Sequence, residues 1–325
     1  MAGVLLTLAG CGPAPSELVV YSARNEEHIK PIFDKYTADT GQQIRLITDD
    51  AGPLLERLAA EGANSPADLL ITVDAGVLWS AAERGLLRPV ESAVLDANVP
   101  ENLRDPERRW FGLSVRARTI VYSTERVKPE ELSTYEALTD PKWRGRLCLR
   151  TSKSVYNQSL VAMFIAQYGE PKTEEIVRGW VANLATTPFA NDILLMQAMA
   201  AGQCDVGIVN TYYFGRLQRD DPNIPVKLFW ANQEGEGTHI NISGAGVTAH
   251  APQPDKALKF LEWLSQPESQ AMIAGVDLEY PAAPTGKAAP QVASWGTFKS
   301  SPLNVAHAGE LQPQAVRLMD RAGYL

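Results

Sequence analysis

The sequence predicts an α/β protein of two lobes that two long strands connect. Short apolar runs alternate with segments in which apolar residues recur every three or four positions, which is typical of strands alternating with amphipathic helices. A chain of 325 residues normally divides its core between two domains. Two extended segments, 113–123 and 239–250, are long enough to cross from one half to the other. We therefore predict a hinged clamshell with a cleft between its lobes.

Composition excludes several classes of protein. Thirty Lys and Arg residues against 38 Asp and Glu give a net charge of −8, and the longest basic cluster is the pair Arg108-Arg109. We therefore expect neither nucleic acid nor an anionic membrane face as the main partner. The 45% hydrophobic content excludes intrinsic disorder. The sequence has no GxSxG, no P-loop and no GxGxxG in a strand–helix context, so it predicts a binding protein rather than an enzyme.

The N-terminus reads as an export signal. Residues 1–11, MAGVLLTLAGC, form an apolar run that is too short to cross a bilayer as a helix. The run ends in Leu8-Ala9-Gly10-Cys11, which is typical of a bacterial lipobox. Residues 1–10 are then a signal remnant, and Cys11 is the lipid-modified first residue of a tethered protein. A frayed N-terminal strand is the alternative interpretation.

Two further cysteines, Cys148 and Cys204, both lie near predicted strands. In an oxidising compartment such a pair favours a disulfide, here within the second lobe. Two buried free thiols are the alternative. Neither cysteine lies in a CxxC motif, so thiolate metal binding and thioredoxin-type redox chemistry are not indicated.

Strands and helices can be placed in order along the first part of the chain. Asn25 is a candidate N-cap, and Gly41 a candidate stop, for a first helix with apolar residues at helical spacing. Asp74 ends the third strand and caps the third helix. We expect the segment 91–112 to be irregular. The predicted strands here are 18–22, 43–48 and 68–73.

The same alternation continues between and after the two long strands. A helix that ends near Pro267 and a final helix around 316–319 complete the chain. The first lobe is predicted to contain residues 17–113 and 243–285, and the second lobe residues 114–242 and 286–325. The other predicted elements are strands 147–149 and 206–209 and helices near 160–168 and from 210.

Loops that follow strand ends are the places to look for a ligand. Ligands of open α/β sheets bind beyond the carboxyl ends of the strands, against the starts of helices. Four loops of this sequence meet that description. They are Ser22–Glu27, Asp74–Gly76, Arg150–Tyr156 and Asn210–Tyr213.

These loops carry oxygen donors. Tyr212 and Tyr213 fall in the first turn of a predicted helix, about 100° apart, and can converge on one point. Tyr156 follows a second strand end and Glu26 a third. Three phenols and a carboxylate form a hard donor set, and ferric iron is a hard cation. A phenol has a pKa of about 10 in water, but a trivalent cation drives off its proton. We therefore predict Tyr156, Tyr212, Tyr213 and Glu26 as ligands of Fe(III).

The charges of such a site balance. Three phenolates cancel Fe³⁺, Glu26 brings the site to −1, and Arg116 or Arg216 returns it to neutral. Read singly, each residue also has a structural interpretation: the tyrosines as packing, Glu26 as a solvated acid and Asp74 as a helix cap. The four histidines show no ligand spacing, and we expect them to be structural or exposed: His28, His239, His250 and His307.

On these residues the chain resembles a known family, the periplasmic ferric-ion-binding proteins of iron ABC transporters, often called bacterial transferrins. The paired tyrosines with a third tyrosine upstream are the most specific element. The resemblance implies a type II periplasmic-binding-protein fold that closes around iron by a hinge motion. The stretches that carry it are YSARNEE (21–27), ADLLITVDAG (67–76), WFGLSVRARTIVYS (110–123), YNQSLVA (156–162), NTYYFGRL (210–217) and FLEWLSQPESQ (260–270).

Residue by residue, the resemblance implies roles for most of the site. Tyr212 and Tyr213 match the family's tyrosine pair, and Tyr156 matches its third tyrosine. Arg116 and Arg216 match positions where some members place arginines around the ligands. The first loop, where members often have a ligand histidine or tyrosine, reads Arg24-Asn25-Glu26 here. Glu26 is the predicted fourth ligand, with water or a bound anion such as carbonate as the alternative, and Arg24 and Asn25 are predicted to lie behind the ligands or to hold that anion.

The predicted function is that of a monomeric, lipid-anchored periplasmic protein. It would capture Fe(III) and deliver it to an ABC permease, with Cys11 as its tether to the inner membrane. The first alternative is a binding protein for an organic or oxyanion solute held by Arg24, Arg116, Arg216 and helix N-termini. A hydrolase with Glu26 and Asp74 as its carboxylate pair is the rival from another class.

Overall fold

The computed structural model describes residues 17–325, so Cys11 and the predicted lipobox lie outside the described part of the chain. Among residues 17–325, no helix has the length and apolar character needed to cross a membrane. The strands are β1 (Leu18–Ser22), β2 (Ile44–Thr48), β3 (Leu69–Thr72), β4 (Phe111–Ser123), β5 (Leu147–Cys148), β6 (Val206–Asn210), β7 (Val226–Phe229), β8 (Ile240–Val247) and β9 (Tyr280–Pro281).

Helices surround these strands. Short 3₁₀ segments, such as Glu101–Leu103 and Glu136–Thr139, link some of the elements. The α-helices are α1 (Glu26–Thr40), α2 (Ala51–Glu61), α3 (Ala75–Glu83), α4 (Ala93–Asn98), α5 (Val155–Tyr168), α6 (Glu170–Asn183), α7 (Asp192–Ala200), α8 (Thr211–Asp220), α9 (Pro254–Ser265), α10 (Pro267–Asp277), α11 (Pro290–Ala293), α12 (His307–Glu310) and α13 (Gln312–Arg321).

The long strand β4 joins the two halves of the molecule. The strands follow the order β2-β1-β3-β8-β4-β6-β5, and β7 and β9 also pair with β4. The first part of β4, up to Ala117, pairs with β8, whereas the part from Arg118 onward pairs with β6 and β7. All residues of β4 are buried. The prediction of a two-lobe α/β fold with long strands crossing between the lobes is thus confirmed.

Separate cores lie on the two sides of this crossing. The first core contains Leu18, Phe111 and Ile242, and the second contains Ile120 and Trp143. The C-terminal part of the chain contributes to both cores. Residues 305 and 306 pack in the first core and residues 315–324 in the second, although the sequence places all of 286–325 in the second lobe.

Local signals near the N-terminus predict the structure well. The strand β1 has the predicted bounds, and α1 begins directly after its cap. The Asn25 side-chain oxygen accepts a hydrogen bond from the Glu27 backbone N–H at 3.0 Å. Gly41 ends the helix with φ of 76°, which a residue without a Cβ adopts at little cost. The predicted apolar stripe of α1 faces the first core.

Other segments differ from the prediction. The stretch 91–112 is not wholly irregular, because Ser92 caps the short helix α4 by accepting from the Leu95 N–H. Helices α6 and α7, and the strands β7 and β9, were not predicted. Pro267 does more than end the preceding helix, since it also lies in the first turn of α10. Proline fits that position because its missing N–H has no partner within the helix there.

A disulfide joins Cys148 of β5 to Cys204, just before β6. Their Cα atoms are 5.9 Å apart, and both side chains are buried. The bridge closes a separation of 56 residues within the second half.

We expect replacement of both cysteines by alanine to lower the free energy of unfolding by about 4 kcal/mol, the chain-entropy value for a loop of this length. Urea unfolding of the oxidised protein and of the C148A/C204A variant measures the difference. Reductant should shift the native protein toward the variant and leave the variant unchanged. Equal midpoints for the oxidised protein and the variant would contradict the expectation.

Candidate metal centre

A cleft of about 240 Å³ lies between the two halves. On one side its lining comes from the loop after β1, from the start of α1 and from the end of α10. On the other side the lining comes from the first turns of α5 and α8. The crossing strands β4 and β8 contribute Arg116 and Ser243. The cleft therefore combines three of the four strand-end loops that the sequence singled out, since no residue of Asp74–Gly76 lines it.

The three predicted tyrosines meet in this cleft. Tyr156 lies in the first turn of α5, and Tyr212 and Tyr213 lie in the first turn of α8. The ring centroids of Tyr156 and Tyr212 are 6.4 Å apart, and those of Tyr212 and Tyr213 are 4.3 Å apart. Because β6 ends at Asn210, the adjacent pair enters the cleft from a strand end. The predicted convergence of the three rings is observed.

Burial favours the neutral form of two of these phenols, Tyr156 and Tyr212. Burial raises the pKa of Tyr212 well above its ordinary value, and negative charge on Tyr156 or Tyr213 would raise it further. Burial also raises the pKa of Tyr156, while the positive charge of Arg116 acts against that shift. Ionisation of several phenols at neutral pH therefore requires a strong local positive charge, such as that of a bound metal ion.

Three guanidinium groups lie over the phenol rings. Arg116 is 5.2 Å from the Tyr156 ring centroid, and Arg150 is 5.1 Å from the same centroid. Arg216 is 5.2 Å from the centroid of Tyr212. Arg150 was not identified from the sequence, although it lies in one of the four strand-end loops. These positive charges favour the phenolate form over the neutral phenol.

Asp74 is a buried carboxylate that connects the two halves through its hydrogen bonds. As predicted, it caps α3, with Oδ1 accepting from the Gly76 N–H at 2.8 Å. Its Oδ2 accepts from Ser159 of α5 at 3.1 Å and from Asn241 of β8 at 2.9 Å. That oxygen also lies 3.5 Å from Arg116 Nη2. Burial raises the pKa of Asp74, and Arg116 opposes the shift.

In the described chain, the crossing strands β4 and β8 carry buried donor atoms that have no hydrogen-bond partner. Both terminal nitrogens of Arg116 and the hydroxyl of Ser243 have no hydrogen-bond partner among residues 17–325. Arg116 and Ser243 are almost completely buried, and both line the cleft. A buried donor that remains unpaired destabilises the fold by about 1–3 kcal/mol. The arrangement therefore fits a small ligand with oxygen acceptors.

Arg24 lines the cleft but is already neutralised by the protein. It forms ion pairs with Asp277 and with Glu279, the second at 2.9 Å, and donates to the Ser114 hydroxyl at 2.7 Å. Burial alone would raise the pKa of Glu279, but Arg24 and Arg116 hold it below its ordinary value. The predicted role of Arg24 as an anion-holding residue is therefore not favoured by its contacts.

Glu26 is not brought to the phenols. It is exposed as the first residue of α1, and it does not line the cleft. The cleft is lined from this segment by Asn25 and, one turn further on, by His28. Residues three apart on a helix share a face, whereas the two residues between them turn away from it. The predicted fourth ligand, Glu26, therefore lies outside the lining of the cleft in this structure.

His28 is one of the cleft residues to which the sequence analysis gave no role at the site; Ser243, Asp277 and Glu279 are others. Its Nδ1 lies 2.7 Å from Asp277 Oδ1, and its side chain is 33% exposed. The same carboxylate oxygen lies 3.4 Å from Arg216 Nη2 of α8. Burial, together with Arg216 and Arg24, lowers the pKa of His28, so the ring is neutral at neutral pH. Its position three residues after the cap Asn25 was the available signal.

Other metal-binding arrangements are absent from the described chain. Within residues 17–325, no three His, Cys, Asp or Glu side chains are grouped so that they could hold a metal ion. A metal ion in this cleft would therefore depend on the phenol oxygens.

Comparison with known proteins places the chain in a family. A family model described as bacterial extracellular solute-binding protein matches residues 64–300. The chain belongs to this family. The solute-binding protein is 43% identical to iron uptake protein A1 of Synechocystis sp. over 334 residues, covering 98% of this chain and 93% of the relative.

Solved structures agree with this placement. The structure of a Trichodesmium protein (IdiA, FutA) in complex with iron and citrate ligands is 42% identical, with a TM-score of 0.92, and the match covers 95% of this chain and 100% of that one. Ferric iron-binding protein A of Mannheimia haemolytica, in an open conformation, is 35% identical, with a TM-score of 0.90 over 95% of this chain and 98% of that one. The solute-binding protein thus has the type II periplasmic-binding-protein fold, and its relatives are transport proteins rather than enzymes.

Proposed function

We propose that this solute-binding protein captures Fe(III) in the cleft between its lobes through the phenolates of Tyr156, Tyr212 and Tyr213. The convergence of these three rings, with guanidinium groups against them, is the observation that carries the proposal. The relatives named for iron uptake and ferric iron binding support it.

The chemistry of the cleft suits a trivalent cation. Phenolate oxygens are hard donors, and three of them cancel the charge of Fe³⁺. Arg116, Arg150 and Arg216 stabilise negative charge on these oxygens from behind the rings. All three tyrosines belong to helices of the second half, so donors from the opposite wall would complete the site when the lobes close. Binding and closure are then a single event.

A small anion is proposed to complete the coordination. Arg116 and Ser243 of the crossing strands together have three donor atoms without a hydrogen-bond partner among residues 17–325, where a carbonate or a carboxylate group would fit. An arginine fork binds such groups in a bidentate way. The Trichodesmium relative was solved with iron and citrate ligands. Glu26 takes no part in this proposal, because it is exposed outside the cleft.

The cellular role follows from the family. We place the protein in the periplasm as a monomer that passes its iron to an ABC permease. Lipid attachment at Cys11 would hold it at the inner membrane, and that prediction concerns residues outside the described part of the chain.

Addition of one equivalent of ferric citrate to the purified protein tests the proposal. Coordination by phenolates should produce a visible phenolate-to-iron charge-transfer band that saturates at one iron per chain. Titration calorimetry with citrate, carbonate and phosphate in the absence of iron is the comparison. Anion binding with no iron band would favour the second candidate, an organic or oxyanion solute held at Arg116, whose unpartnered nitrogens also suit that ligand.

The affinity for iron should depend on pH. Because burial raises the pKa of Tyr156 and of Tyr212, both phenols are protonated before iron binds and must each lose a proton to bind it. Each proton released changes the apparent affinity by about tenfold per pH unit. We therefore expect tighter binding as pH rises and weaker binding as it falls. Competition with citrate at several pH values, corrected for protonation of citrate, measures the slope. A flat profile would contradict phenolate binding.

A further inference from the structure

We propose that Asn157 is a positioning residue for the tyrosine site, and that it fixes the places of Tyr156 and of the Arg150 guanidinium before iron binds. This inference rests on the proposed function, since it concerns the geometry of the same phenols. Asn157 follows Tyr156 in the first turn of α5, is buried and does not line the cleft. It can therefore act on a bound ion only through the residues that it contacts.

The side chain of Asn157 fastens the loop that precedes α5 to the helix. Its Nδ2 lies 2.8 Å from the backbone oxygen of Arg150 and 3.0 Å from that of Thr151. The amide nitrogen is a donor and the carbonyl oxygens accept. These hydrogen bonds join the segment that carries Arg150 to the helix turn that carries Tyr156, so the positions of the two side chains are coupled.

Tyr324 holds the same loop from a distant part of the chain. Its side chain packs in the second core, and its hydroxyl donates to the Arg150 backbone oxygen at 2.6 Å. The same hydroxyl accepts from Asn157 Nδ2 at 2.8 Å. The backbone oxygen of Leu325 accepts from the Ser152 N–H at 2.9 Å. The loop is thus held from two sides, by Asn157 and by the Tyr324 segment.

A buried arginine connects Asn157 to the tyrosine pair. Asn157 Oδ1 accepts from Arg118 Nε at 2.9 Å, and Arg118 is almost completely buried. Arg118 Nη1 donates to Asn210 Oδ1 at 3.1 Å. Asn210 directly precedes α8, whose first turn carries Tyr212 and Tyr213. One arginine therefore contacts a neighbour of Tyr156 and the residue from which the tyrosine pair begins.

Asp192 extends this network to the Arg150 side chain. Its Oδ2 accepts from Arg118 Nη1 at 3.0 Å and from the Asn210 backbone N–H at 2.9 Å. Its Oδ1 lies 3.8 Å from Arg150 Nη1, and the Arg150 guanidinium is 5.1 Å from the Tyr156 ring centroid. Buried hydrogen-bond networks that are satisfied make the surrounding structure rigid. The second half therefore orders its phenols and a guanidinium through its own contacts.

This order should contribute to the affinity for iron. A preorganised site binds more tightly, because less ordering of side chains has to be offset when the ligand arrives. Without Asn157 the loop is released and the Arg150 guanidinium is no longer held over the Tyr156 ring. A phenolate that loses a nearby positive charge is less stable, so its electrons are transferred to iron at lower energy. The charge-transfer band should then move to longer wavelength.

The experiment compares N157A with N183A in the full chain. Asn183 is the matched control, because it is a buried asparagine of the second half whose Nδ2 donates to the backbone oxygens of Leu138 and Asp140, each at 2.9 Å. It does not line the cleft. Thermal unfolding establishes that both variants are folded at the assay temperature. Visible spectra with one equivalent of ferric citrate, and citrate competition, give the band position and the affinity.

Y324F is a second variant with a milder change. It keeps the ring in the second core and removes the hydroxyl that joins Asn157 to the Arg150 backbone. Its control is Y168F, since the Tyr168 hydroxyl accepts hydrogen bonds from Gln167 and Asn232 and does not line the cleft. If N157A does not fold, the comparison of Y324F with Y168F decides the question.

We expect N157A to bind iron at least about tenfold more weakly, since residues that orient metal ligands affect affinity by 10- to 100-fold. Its band should lie at longer wavelength, Y324F should change in the same direction, and both controls should keep the native band and affinity. Native band and affinity in N157A overturn the role of Asn157, and so does an equal change in N183A. The absence of a phenolate band in the native protein overturns the proposed function itself.

Discussion

Replacement of Tyr212 by phenylalanine should abolish most of the phenolate-to-iron band and weaken Fe(III) binding at least about a hundredfold, more than loss of a residue that merely orients a ligand. The substitution removes one oxygen and keeps the ring. The ring contacts, with Tyr213 at 4.3 Å and the Arg216 guanidinium at 5.2 Å, therefore remain possible. Visible spectroscopy after addition of one equivalent of ferric citrate, and citrate competition, measure both effects. Y213F should behave similarly.

The fold should tolerate the change. The Tyr212 hydroxyl accepts a long hydrogen bond from Asn210 Nδ2 at 3.3 Å and also forms a side-chain hydrogen bond with Tyr156. Loss of both should change the free energy of unfolding by about 2 kcal/mol or less. Y122F is the control, because Tyr122 is a buried tyrosine of the second core that does not line the cleft. It should keep the band and the affinity of the native protein. An unchanged band in both Y212F and Y213F would refute coordination by this pair.

Replacement of Asp74 by alanine should lower the free energy of unfolding by about 3 kcal/mol, because removal of one partner of a buried ion pair leaves the other charge uncompensated. Asp74 and Arg116 are both buried, with Nη2 and Oδ2 3.5 Å apart. The substitution also removes the cap of α3 and the acceptor for Ser159 and Asn241. We expect the low end of the usual range because Glu279 still acts on Arg116. Urea unfolding of the iron-free proteins measures the loss.

Two variants separate the buried pair from the helix cap. Asp50 precedes α2 in the same way but is exposed and makes no side-chain capping bond, so D50A should change stability by about 0.5 kcal/mol or less. In the double variant D74A/R116L the unpaired charge is gone, so it should be destabilised less than the sum of the single variants. Strict additivity, or equal effects of D74A and D50A, would show that the ion pair contributes nothing to stability.

Much of the fold was predictable because its signals are local. The bounds of β1, the cap of α1 at Asn25 and its end at Gly41 follow from neighbouring residues. The position of Asp74 before α3 likewise follows from a short stretch of sequence. The tyrosine pair could be placed at a strand end for the same reason. Helices α6 and α7 were missed even though their buried residues recur at helical spacing.

The errors concern contacts between distant segments. Whether Glu26 or His28 faces the cleft depends on how α1 is rotated against α10, which the periodicity of α1 alone does not reveal. The partner of His28 is 249 residues away in the chain. Arg150 could not be recognised because its role consists only in its approach to the rings of Tyr156 and Tyr213.

The sequence by itself determined many of the elements, the family resemblance and the residues that bring phenol oxygens to one edge of the second half. Tertiary structure decided which residues of the first half face them, and which polar atoms of the described chain lack a hydrogen-bond partner. It pairs Arg24 with Asp277 and Glu279, leaves both terminal nitrogens of Arg116 without a hydrogen-bond partner among residues 17–325 and holds His28 against Asp277. The physical reason is the separation along the chain over which each kind of interaction acts. Caps and periodicity act between residues a few positions apart, whereas a cleft is formed by side chains that only packing brings together.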